Sequence, residues 1–64
     1  MRIVHCTKEI GRVAAGYDYA AVWNGARWEI YTTATVHGKY MANINCIANL
    51  TERMFENHFE SVDV

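Results

Sequence analysis

The chain contains no proline, no repeat and no low-complexity tract. None of its apolar runs approaches the roughly 20 residues of a membrane-crossing helix, and the N-terminus lacks a signal-peptide pattern. The expected compartment is therefore the cytoplasm. Two cysteines, Cys6 and Cys46, make no disulfide framework, and free thiols are the default in that compartment. A single Cys6–Cys46 disulfide is the alternative. Positive charge is equally sparse. Six Lys and Arg stand against seven Asp and Glu, so no global basic field exists to recruit nucleic acid.

The motifs of common chemistries are missing as well. His5, His37 and His58 are the only histidines, and none sits in a paired C-x-x-C or H-x-x-x-H spacing. There is no phosphate-cradling glycine loop, no Walker lysine and no nucleophile elbow. At 64 residues the chain forms one domain, which buries only about 60% of its unfolded surface. A deep cleft with several converging polar groups is not expected in so small a body. These absences lead to the expectation of a non-catalytic protein with no cofactor and no metal.

What the chain does have is apolar surface. The hydrophobic fraction is 52%, with eight aromatic residues, which argues against disorder. Residues 2–7 read as a short strand rich in β-branched side chains. Thr7 is placed to cap a short helix over 8–14 with Gly16 at its C-cap. Gly11 weakens that helix, and an irregular loop or a continued strand competes with it.

Residues 17–32 read as a hairpin around Asn24-Gly25, a dipeptide suited to a type I′ turn. A two-residue loop pairs Trp23 with Ala26, Ala21 with Trp28, Tyr19 with Ile30 and Tyr17 with Thr32, all on one face. Asp18, Ala20, Val22, Arg27, Glu29 and Tyr31 take the other. The aromatic face then needs a cover.

The last third supplies one. At roughly 100° per residue, Tyr40, Met41, Ile44, Ile47, Ala48, Leu50, Met54, Phe55 and Phe59 fall on about half of a helical circumference. The expected fold is thus α+β: a small antiparallel sheet, made of hairpin 17–32 and an N-terminal strand, packed on a long C-terminal amphipathic helix. The rival is a third strand over 39–47 after a His37-Gly38 turn. Asn49 and Glu52 then form the capping box of a shorter helix.

The polar side of the long helix carries Glu52, Glu56 and Glu60 at i, i+4 and i+8, flanked by Asn45, Asn49 and Cys46. Residues 49–64 hold Arg53 against Glu52, Glu56, Glu60 and Asp63, a balance of −3, whereas residues 1–48 balance at +2. Carboxylates four residues apart repel, and late in a helix they oppose its dipole. Such broken local rules sometimes mark function.

The sequence therefore leads first to a small inhibitor or regulator. It would dock Glu52, Glu56 and Glu60, extended by Asn45 and Asn49, on the basic nucleic-acid-binding surface of a larger protein. Successive helical turns lie about 6 Å apart, near the phosphate spacing of a nucleic-acid strand, so the face would act as a mimic. Proteins of this size and simplicity include phage and mobile-element products that block restriction or CRISPR effectors. Two alternatives stand beside it. One is direct nucleic-acid binding through Arg2, Lys8, Arg12 and Arg27. The other is a homodimer joined around Leu50 and Met54.

Overall fold

The computed structural model describes residues 1–62. Five strands form one antiparallel sheet: β1 (Arg2–Cys6), β2 (Asp18–Trp23), β3 (Trp28–Val36), β4 (Lys39–Leu50) and β5 (Phe59–Ser61). One short helix, α1 (Glu52–His58), separates β4 from β5. The spatial order is β4-β3-β2-β1-β5, so the closing strand returns to pair with the first.

The long C-terminal helix expected from the sequence does not form. Residues 39–50 are an extended strand, reached through a two-residue turn at His37 and Gly38, whose φ angles are +52° and +77°. Positive φ at both central positions is the type I′ geometry, whose twist matches that of the flanking strands. Only seven residues remain helical. Thr51, not Asn49, caps them, its Oγ1 accepting the Met54 N–H at 3.3 Å.

Two local expectations also change. Residues 8–14 form no helix. Ile10 and Val13 exchange both backbone hydrogen bonds at 3.0 and 2.9 Å around Gly11, whose φ is +56°. A glycine with positive φ at the first central position of a tight turn favours this hairpin over a helical turn. Gly16 is no helix cap. Its N–H donates to the Cys6 carbonyl and continues the β1–β2 edge.

The β2–β3 hairpin forms, but with a four-residue loop that places Trp23 opposite Trp28, Ala21 opposite Ile30 and Tyr19 opposite Thr32. The cause is the Asn24 side chain. Its Oδ1 accepts the N–H groups of Ala26 and Arg27 at 2.9 and 2.8 Å and builds an Asx turn. The register moves by two residues, an even step, so every side chain keeps its face.

The core sits between one sheet face and α1. Val4, Cys6, Tyr19, Ala21, Ile30, Leu50 and Phe59 are buried with Phe55 of the helix and Val13 of the β1–β2 connection. Phe55 stacks on Trp28 with centroids 4.3 Å apart and on Phe59 at 5.2 Å, and Phe59 meets Tyr19 edge-on at 6.3 Å. The far end of the helix is tied to β1. The His58 carbonyl accepts both the N–H and the Oγ1 of Thr7, and His58 Nδ1 lies 2.8 Å from the Lys8 carbonyl.

Phe55 is the only helical residue that is buried. Phe55→Ala is therefore expected to cost about 3–5 kcal/mol, a large share of the stability of so small a domain. Urea unfolding followed by tryptophan fluorescence measures it. A loss below about 1 kcal/mol would mean that the sheet is closed by something other than this ring.

Candidate functional site

Three surfaces carry side chains that the core does not use. The first is the groove at the helix side of the β1–β5 edge. Arg2, Trp28, Glu52, Phe55, Glu56 and Glu60 are among the residues bordering a concavity of about 240 Å³. The Arg2 guanidinium lies 5.6 Å from the Trp28 ring centroid and 6.0 Å from that of Phe55, within cation–π range. All three glutamates of the acidic stripe thus reach the rim of one groove, but not as a stripe on a helix. Glu52 opens α1, where a carboxylate is favoured by the dipole, and Glu56 follows one turn later. Glu60 is a β5 residue opposite His5, and strand alternation puts its side chain on the sheet face away from Phe59. Glu52 and Glu56 keep their i, i+4 repulsion on α1, whereas Glu60 leaves the helix and Glu52 sits where the dipole favours it. Asp63 lies outside the described residues.

Asn45 and Asn49 do not join this groove. Both stand on β4, Asn49 opposite Glu29 and Asn45 in an irregular stretch of the strand. Cys46, expected on a helix, is an exposed strand residue whose Sγ donates to the Ala48 carbonyl. Cys6 is buried, and burial pushes its thiol pKa up, so the more protected of the two free thiols is also the less reactive.

The second surface is the uncovered face of the sheet, where pairing assembles contacts that residue spacing does not reveal. His5 Nδ1 lies 2.8 Å from Asp18 Oδ1, and the Tyr40 hydroxyl donates to Asp18 Oδ2 at 2.7 Å. Nearby, the Tyr31 hydroxyl and Asn24 Nδ2 donate to the two oxygens of Glu29. These hydrogen bonds hold the Asp18 carboxyl below its usual range, Tyr40 first and His5 second, and raise the Tyr40 phenol. Sequence reasoning missed the His5–Asp18–Tyr40 chain, because its members lie on β1, β2 and β4 and meet only through the register. His5 and Asp18 line neither the helix-side groove nor the concavity beside residues 42–47, and among the described residues no group of three His, Cys, Asp or Glu is placed to hold a metal. The chain of contacts works as a strut across strands.

The third surface is the outer arm of the sheet. β4 has twelve residues where β3 has nine. One surplus residue, Ile47, lies between the pairs Ile30–Ala48 and Tyr31–Cys46, and the other two fall between the pairs Tyr31–Cys46 and Thr33–Ala42. Asn43, Ile44 and Asn45 bulge out there. The Asn43 side-chain amide donates to Thr32 Oγ1 and pins the bulge to β3. Ile44 is left 94% exposed and Met41 54% exposed, with Val36 and Tyr40 also open. Residues 42–47 border a wide concavity with Thr32 and Arg12. Of these apolar residues, Tyr40, Met41 and Ile44 were expected in the helix-side core. The arm instead runs past the ground that α1 covers.

Comparison with family models, with curated proteins and with solved structures finds no match.

Asp18 supplies a pH prediction. Its folded pKa is depressed, so its contribution to stability is present above the ordinary aspartate range and is lost as pH falls through the lower folded value. Tyr40→Phe removes the larger cause. The variant should unfold at lower urea than wild type at neutral pH, with the gap closing in acid. A gap that stays constant with pH would assign Tyr40 a packing role alone.

Proposed function

We propose that this chain is a small, non-catalytic protein-binding module, acting as an inhibitor or regulator of a larger protein. Its contact surface is the β3–β4 arm. The observation that carries the reading is Ile44, a large apolar side chain held 94% exposed on a pinned bulge. Burying such a side chain is worth about 1.5–3 kcal/mol, and the fold leaves that free energy unused. Met41 and Val36 are also exposed on one face of the same hairpin, and Tyr40 is open on the other.

Catalysis finds less support. The His5–Asp18 pair has the Tyr40 phenol beside it, and neither residue of the pair lines either concavity. Direct nucleic-acid binding is also less favoured. Arg2 rests on the Trp28 and Phe55 rings, Arg12 stands by the bulge and Arg27 ends the β2–β3 loop, so these cations are dispersed over the fold. A second docking reading keeps the acidic groove, since Glu52 and Glu56 are exposed on one helical face. It places a basic partner there, as a nucleic-acid mimic of the anti-defence type would require.

Affinity capture from nuclease-treated bacterial lysate separates these readings. The comparison is wild type, Ile44→Lys, and the Glu52→Lys/Glu56→Lys double variant, all with matched circular dichroism. A protein retained by wild type and by the glutamate variant but lost with Ile44→Lys supports the arm. Loss with the glutamate variant alone moves the contact to the acidic groove. Equal retention by all three counts against both.

A further inference from the structure

Charge is distributed along this chain in a way that points to a particular partner. From Ile30 to Thr51, which takes in nearly all of β3 and the whole of β4, Lys39 is the only Asp, Glu, Lys or Arg. The remainder of the molecule carries all the other charges. β4 is also an edge of the sheet, with no strand on its outer side among the described residues. Edge strands are ordinarily blunted by charged side chains, proline or brevity. This one is twelve residues long, lacks proline and is uncharged from Tyr40 to Leu50. The opposite edge, β5, is three residues long and carries Glu60. The two edges of one sheet are thus treated oppositely, and only β4 is left open.

We infer that the outer edge of β4 is a self-association surface, closed by β4 of a second copy running antiparallel about a two-fold axis near Ile44. This rests on the reading of the arm as a protein-binding surface, and it assigns that surface to a second copy of the chain in place of a larger protein. In an isologous contact each residue meets its own surface again, so any charge near the axis is set against an identical charge. The strand itself meets that requirement from Tyr40 to Leu50, and Arg12 of the β1–β2 connection is the charged residue that borders the concavity beside Ile44. With the axis at Ile44, the apolar side chains match. Ile44 meets its twin, Met41 of one copy falls opposite Ile47 of the other, and Lys39 falls opposite neutral Asn49. The bulge interrupts the strand at its middle, so the backbone ladder is made by the flanking residues while Ile44 supplies side-chain packing at the centre. Closure about a two-fold leaves no second open edge of this kind, so the product is a dimer and not a fibre.

The test is the solution mass of the full chain by sedimentation equilibrium over a wide range of concentration. It is made for wild type, Ile44→Lys, Ile44→Asn as a milder change, and Glu52→Lys/Glu56→Lys. Wild type and the glutamate variant are expected to rise from monomer to dimer mass and stop there. Ile44→Lys sets two like charges together at the axis and should weaken association by about 100-fold or more, with Ile44→Asn between. Unchanged circular dichroism, and an unchanged urea midpoint at a concentration where wild type is also monomeric, show that the loss is one of association, since Ile44 lies outside the ladder and the core. A monomer at every concentration, open-ended growth beyond a dimer, or a dimer indifferent to both Ile44 changes would overturn the proposal. The capture experiment keeps the two claims apart. A monomer whose lysate partner is still lost with Ile44→Lys leaves the binding module standing and removes the second copy as its partner. A dimer that captures nothing leaves self-association and removes the inhibitor.

Discussion

Everything in this fold depends on one face of a twisted sheet being closed by two helical turns. α1 is too short to bring a stripe of side chains to the core, and it delivers a single ring. Phe55 reaches both neighbours because Trp28 stands at one end of the helix footprint and Phe59 follows the helix directly in sequence. The stacked rings leave little room for alternative packings. Aromatic pairs favour a few offset or edge-on arrangements, and here both kinds occur in one connected column from Trp28 to Tyr19. The tie between His58 and the Thr7–Lys8 backbone keeps the helix over that column and starts β5 in register with β1.

That economy has a consequence at the other side of the sheet. A cover this small reaches the proximal halves of β3 and β4 and no further, so the distal hairpin has no core beneath it. The molecule measures 33 × 23 × 22 Å, longer in one direction than a sphere of its mass would be. The arm is held in shape by other means: the His37-Gly38 turn, the Asn43–Thr32 contact at the bulge, and Tyr40 anchored to Asp18. Core burial and surface presentation are thereby separated within a single sheet. The charged residues gather around the covered half, and the neutral, partly apolar stretch is extended into solvent. An exposed arm built this way can change without disturbing the aromatic column.

The sequence reading and the structure part company at residues 39–50, and the bulge is the reason. A regular strand shows a period of two, and Tyr40, Ala42, Ile44 and Cys46 do alternate. The surplus residues then shift the phase, so that Ile44, Ile47, Ala48 and Leu50 recur at intervals of three, one and two, which imitates a helical face. Asn43, Asn45 and Asn49 are poor helix formers and pointed the other way, as did the His37-Gly38 turn. With the helix shortened, Glu60 leaves the face that Glu52 and Glu56 still share, and Asn45 and Asn49 pass to a different part of the surface. The β2–β3 hairpin fared better. Its loop length was misjudged by one pair of residues, yet the even step kept Tyr19, Ala21 and Ile30 facing inward.

By itself the amino-acid sequence determined the two faces of the central hairpin and the segregation of charge, because these depend on alternation and composition, which are local properties. Tertiary structure alone decided whether residues 39–50 coil or extend, since both states bury part of the same apolar set and only the available partner strand selects between them. It also decided which polar residues meet. His5, Asp18 and Tyr40 are far apart in the chain, and the pairing of β1, β2 and β3 with the fold-back of β4 sets the distances between them. The last third of the chain was the ambiguous part because its hydrophobic pattern satisfies two periods at once, and long-range hydrogen bonding, invisible in any short window of residues, breaks the tie.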